Sequence, residues 1–166
     1  WPPLEFAMQD AKAIRKRLLE IGFDDITLIL DKEATQGRIL TELFHNLPQK
    51  VGTDDRLLFY FAGHGQTEDV PGGGKRGYII PVDGDNSDCA GTAISMEQVR
   101  SLSSRIPAKH ILYVMDSCYS GLGLSRAAGP SPSLSGFLRK VASMRAVQIV
   151  TAGGKHVCRQ ECIDQC

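Results

Sequence analysis

An imidazole and a thiol are the two side chains of this sequence best suited to chemistry. Each follows a short apolar run that stops abruptly. The run Arg56-Leu57-Leu58-Phe59-Tyr60-Phe61 ends in Ala62-Gly63-His64-Gly65. The run His110-Ile111-Leu112-Tyr113-Val114-Met115 ends in Asp116-Ser117-Cys118 and leads into Tyr119-Ser120-Gly121. Both runs have strand length, so each delivers one reactive group at a carboxyl end, where chemistry collects in an open parallel sheet. If the two strands are neighbours, His64 and Cys118 face one cleft. A thiolate nucleophile with a basic partner is the minimum equipment for acyl transfer. Glycine and polar neighbours argue against Cys118 as a small buried apolar residue. The glycines flanking His64 let backbone approach a ligand closely.

The elements that must position this pair read as alternating helices and strands. Apolar residues at 3.6-residue spacing predict a helix over Leu4 to Ile21, ended by Gly22. Ile26 to Leu30 reads as a strand. Thr35 to Leu47 reads as a second amphipathic helix stopped by Pro48. Arg56 to Phe61 and Tyr78 to Val82 read as strands, and Ser95 as the N-cap of a helix over Met96 to Leu102. His110 to Met115 is the next strand, Leu134 to Ser143 a helix, and Val147 to Ala152 the last strand. The strands are continuous apolar runs, not alternating ones, which predicts a mostly parallel α/β sheet covered on both faces. Pro71 to Gly77 and Gly129 to Gly136 read as exposed loops.

The composition fits one soluble domain. The chain has 166 residues, 42% of them hydrophobic and 23% charged, with zero net charge. Nothing in that balance calls for nucleic acid or an anionic membrane, and no apolar stretch has the length of a membrane span. A chain starting at Trp1 reads as a piece of a longer protein. The five cysteines, Cys89, Cys118, Cys158, Cys162 and Cys166, form no regular framework. An odd number without a framework points to a reducing, cytoplasmic compartment.

Three runs together carry a resemblance: Phe61-Ala62-Gly63-His64-Gly65, Tyr78-Ile79-Ile80-Pro81-Val82-Asp83, and Asp116-Ser117-Cys118-Tyr119-Ser120-Gly121. The chain resembles the caspase-like cysteine peptidases, most of all the metacaspase and bacterial orthocaspase branch. The resemblance covers Leu4 to Gly154. It implies a three-layer α/β/α caspase-haemoglobinase sandwich over residues 1–154, with 155–166 as a divergent tail. The family's first strand would precede Leu4, and its last elements would follow Gly154. Neither is present, so the sheet is expected to be short.

The resemblance also implies a cysteine endopeptidase. Cys118 would be the nucleophile and His64 the acid and base. The backbone N–H groups of Gly65 and Cys118 would form the oxyanion hole, where negative charge grows in the transition state. Asp116 lies two positions before Cys118, on the same side of a strand as the thiol. In metacaspases this position and an acid on the first helix bind the substrate cation, and Asp10 matches that second acid. Two carboxylates grip a guanidinium through forked hydrogen bonds. The expected substrates are therefore polypeptides with a basic residue before the cut bond. The plainer alternatives are a turn-capping carboxylate for Asp116 and a solvated helix residue for Asp10. Arg126, Lys75 and Arg76 are candidate self-cleavage sites or ordinary solvated charges.

Two weaker signals concern metals. Asp83, Asp85 and Asp88 suggest calcium, but the glycine and glutamate of an EF-hand loop are missing, so a solvated loop is the better reading. Metacaspases often need calcium, which leaves calcium dependence as an expectation of the resemblance alone. His156, Cys158, Cys162 and Cys166 lack zinc-finger spacing, and no metal site or other cofactor is expected. The competing functional reading is a catalytically silent caspase-fold module that binds partners within a larger multidomain chain. A flavodoxin-like domain is disfavoured, because no phosphate-cradling glycine loop follows Ile26 to Leu30. A cysteine hydrolase outside proteolysis is the remaining alternative.

Overall fold

The computed structural model describes residues 1–117 and 145–151. Helix α1 spans Ala7–Glu20. It starts later than its periodicity suggests, and Leu4 to Phe6 run outside it. Gly22 ends it as expected, with φ +94°. Gly22 N–H donates to Leu19 O at 3.2 Å and Phe23 N–H to Leu18 O at 3.0 Å. That pair of bonds is a Schellman cap, which needs a residue tolerant of positive φ at Gly22.

Ile26 to Leu30 departs from expectation. The segment joins no strand among the described residues. A cavity of about 840 Å³ separates it from β1, Arg56–Ala62, and α1 contributes Ala7, Ala11, Ile14 and Leu18 to its lining. Composition makes the segment strand-like, but a strand also needs a neighbour within hydrogen-bonding reach.

The next helix begins at Thr35, whose hydroxyl caps Arg38 N–H at 3.3 Å. Helix α2, Gln36–Thr41, passes into a π-helical turn, Glu42–Asn46, and then into α3, Leu47–Lys50. Pro48 does not stop this helix; it sits in the first turn of α3. The wider π turn just before it resets the hydrogen-bond ladder where Pro48 has no N–H to give.

The central sheet has the order β1-β5-β6, with β5 at His110–Asp116 and β6 at Ala146–Thr151. Both pairings are parallel, as continuous apolar strands predict. On one face Leu57, Phe59 and Phe61 pack against a core holding Ile39, Leu43, Val99, Leu102, Ile111, Tyr113 and Met115. The Val99 and Leu102 contribution comes from α5, Met96–Ser101, and the 3-10 turn after it, Leu102–Ser104. Ser95 and Gln98 form a complete capping box at its start, so that helix lies where its cap signal places it.

A second, antiparallel sheet was not visible in the sequence. It has the order β2-β3-β4, from Gly65–Asp69, Lys75–Ile79 and Ile94–Ser95. The expected strand Tyr78 to Val82 begins three residues early and ends at Ile79, and the last three residues of the supposed loop Pro71 to Gly77 belong to it. Gly72, Gly73 and Gly74, all at positive φ, make the turn of that hairpin. The short helix α4, Cys89–Thr92, precedes β4. The helix expected at Leu134 to Ser143 and the boundary at 154 lie outside the described residues.

Candidate active site

The two strands that lead to His64 and Cys118 are adjacent. β1 and β5 run parallel in register from Arg56↔His110 to Ala62↔Asp116. Gly63 N–H then donates to Asp116 O at 3.2 Å, which extends the ladder past the strand end. His64 lies two residues after Ala62, and Cys118 two residues after Asp116. Cys118 itself, like Arg126 and the tail cysteines, lies outside the described residues.

His64 sits where the two sheets meet. Its carbonyl accepts from Ile80 N–H at 2.9 Å, the first rung between β2 and the chain after β3. Antiparallel rungs alternate, so the next pair, Gly65↔Ile79, is a non-hydrogen-bonded one. The Gly65 N–H therefore turns away from β3. Gly63 has a packing reason to be glycine: an ideal Cβ there would lie 2.5 Å from Phe61 Cζ. The ring of Phe61 folds over the backbone that aims His64.

The half-buried imidazole is held by two groups that its own motif does not contain. His64 Nε2 lies 2.7 Å from the Pro2 carbonyl oxygen. A carbonyl only accepts, so Nε2 carries a proton, and the neutral ring keeps its lone pair on Nδ1. The Trp1 indole lies against the same ring, with centroids 5.3 Å apart and planes tilted by 31°. Sequence reasoning missed both contacts. A backbone carbonyl has no side-chain signature, and Trp1 stands far from His64 along the chain.

Of the two candidate cation-binding acids, Asp116 bonds a tyrosine on the neighbouring strand. Tyr60 O–H donates to Asp116 Oδ2 at 3.2 Å. Burial pushes the Tyr60 phenol well above its ordinary range, and the Asp116 charge, its hydrogen bond and the Asp10 charge push it further. Asp10 lies in the first turn of α1. The phenol thus stays a donor to Asp116. Tyr60 carried no motif signal of its own; alternation along β1, set against Asp116 on β5, would have pointed to it.

The acidic cluster bonds backbone N–H groups and a serine hydroxyl. Asp83 Oδ1 accepts from Gln36 N–H at 2.8 Å, and Asp88 Oδ1 from Gly91 N–H at 3.0 Å. Asp85 Oδ1 accepts from the Ser87 N–H and hydroxyl, and these bonds hold its carboxyl below the usual range. Among the described residues no three His, Cys, Asp or Glu side chains converge as metal ligands. Cys89, the described free cysteine, is buried. Burial raises its thiol pKa, and Glu68, Asp88 and Asp85 raise it further, so it lacks the electropositive setting of a reactive thiol. No described helix is long and apolar enough to cross a membrane.

The caspase domain family model matches residues 1–155. The chain belongs to the caspase domain family. No curated protein matches it. In this caspase domain the paired strand ends, the bound imidazole and the parallel sheet all lie within the matched span. Membership gives a cysteine-peptidase family and polypeptides as the substrate class.

Proposed function

We propose that this caspase domain is an endopeptidase of the metacaspase kind that cuts after Arg or Lys. The observation that carries the reading is the register Ala62↔Asp116, from which His64 and Cys118 each follow at the same offset. The Cys118 thiolate attacks the scissile carbonyl carbon. Imidazolium at His64 gives its proton to the departing amine, and water then hydrolyses the thioester with His64 as base. The Pro2 carbonyl steadies the ring through Nε2–H, much as a buried acceptor orients the base in other hydrolases. The outward Gly65 N–H supplies an oxyanion donor beside that of Cys118. Asp116 and Asp10 take the substrate's cation.

The test uses fluorogenic peptides ending in Arg, Lys or Asp, with and without calcium, on the chain and on Cys118→Ala. Release from Arg or Lys peptides that vanishes in Cys118→Ala is the expected result. Release from the Asp peptide alone keeps the peptidase and removes the basic pocket. The cavity beside β1 favours a second reading, a catalytically silent caspase-fold module, because among the described residues the strand that aims His64 has no paired neighbour on that side. No release from any peptide by a folded chain selects that reading.

A further inference from the structure

We propose that Tyr60 is a specificity-determining positioning residue, whose hydroxyl fixes the Asp116 carboxylate for a forked grip on an arginine side chain. This deepens the basic-pocket reading above and rests on it. Leu57, Phe59 and Phe61 face the core, so Leu58, Tyr60 and Ala62 face the opposite side of β1. Ala62 pairs with Asp116 and Tyr60 with Val114, which makes Asp116 the diagonal neighbour of Tyr60. A long aromatic side chain reaches such a neighbour, and the hydroxyl meets Oδ2 at 3.2 Å.

The consequence is a choice between cations. An exposed Asp116 side chain rotates freely unless something holds it. Tyr60 holds Oδ2, leaving Oδ1 open to a ligand. A guanidinium has donors in a rigid planar fork, and it profits from a fixed acceptor on Asp116 with a second charge at Asp10. An ammonium is a compact point charge and profits less. Tyr60 therefore favours Arg over Lys at this site. Neither neighbouring carboxylate takes the phenol proton, so the donor persists when the pocket is empty.

Tyr60→Phe removes only the hydroxyl and keeps the ring. In the active chain the expected result is an increase in KM for the Arg peptide of about tenfold, as for loss of a hydrogen bond to a charged group. The Arg-over-Lys preference falls with it, and kcat is little changed. An equal fall in kcat for both peptides, with KM unmoved, overturns the proposal. A second arm needs no turnover. Calorimetry with benzamidine and with n-butylammonium compares Cys118→Ala with Cys118→Ala/Tyr60→Phe, each checked for an unchanged circular dichroism spectrum. Weaker benzamidine binding with unchanged butylammonium binding supports the role of Tyr60. Equal benzamidine binding by both chains overturns it while leaving the pocket standing. No binding of either cation by Cys118→Ala removes the pocket itself and the proposal with it.

Discussion

His64 is held on two sides, and both holds are measurable. Trp1 is the single tryptophan of the chain, so its emission reports this contact alone. His64→Ala removes the ring that the indole lies against, so Trp1 emission is expected to shift to the red as water takes its place. An unchanged emission maximum in His64→Ala would show that the indole does not read His64. Gly63 is the second residue-scale case. Gly63→Ala forces a methyl into the Phe61 ring and should cost about 1–3 kcal/mol, read as a lower denaturation midpoint. Gly63→Ala with Phe61→Leu should recover part of that loss, because the ring is what the methyl meets.

At the scale of elements, Glu42 ties the unpaired segment to the helix behind it. The carboxylate is buried within the π turn and accepts from Thr27 Oγ1 at 3.0 Å and from Asn46 Nδ2 at 2.6 Å. Arg38 Nη1 lies 3.5 Å away. Burial alone would raise its pKa, but the Asn46 and Thr27 bonds and the Lys50 and Arg38 charges outweigh it, and the net direction is down. A carboxyl with a depressed folded pKa adds stability above its unfolded pKa and loses it as pH falls through the folded one. Glu42→Gln should therefore destabilise by about 1–2 kcal/mol at neutral pH, with the difference from the parent shrinking below about pH 4. Denaturant midpoints across that range check it, and a gap that widens on acidification would refute the assignment. The antiparallel hairpin β2-β3 is the element that motif reading overlooked. Its strands hold Gly, Asp, Glu and Lys, poor strand formers taken singly. They become strands because β2 continues directly from the His64 turn and finds β3 within reach.

Over the whole molecule, one thiol monitors the integrity of the fold. Cys89, the first residue of α4, is 3% exposed and packs with Tyr78, Ile80 and Ala93. A thiol so buried reacts only when the surrounding structure opens. Iodoacetamide followed by peptide mapping should leave Cys89 unlabelled in buffer and label it fully in denaturant. Rapid labelling in buffer would mean that the cavity along β1 weakens the packing of the second sheet too.

The sequence alone determined the parallel α/β class, the two apolar runs that lead to His64 and Cys118, and the caps at Gly22 and Ser95. These are local properties: apolar runs, small-residue stops and side chains that bond their own backbone. It also determined the family, because the His64 and Cys118 motifs each follow a strand. Only the tertiary structure decided that Ile26 to Leu30 stands apart from the sheet, since pairing depends on a neighbour and not on composition. The same holds for the Pro2 carbonyl on His64, the Trp1 indole against it, and the Tyr60 hydroxyl on Asp116. Each contact joins residues far apart in the chain or on separate strands, and in the first the bonding group is backbone, which every residue shares and no sequence pattern distinguishes.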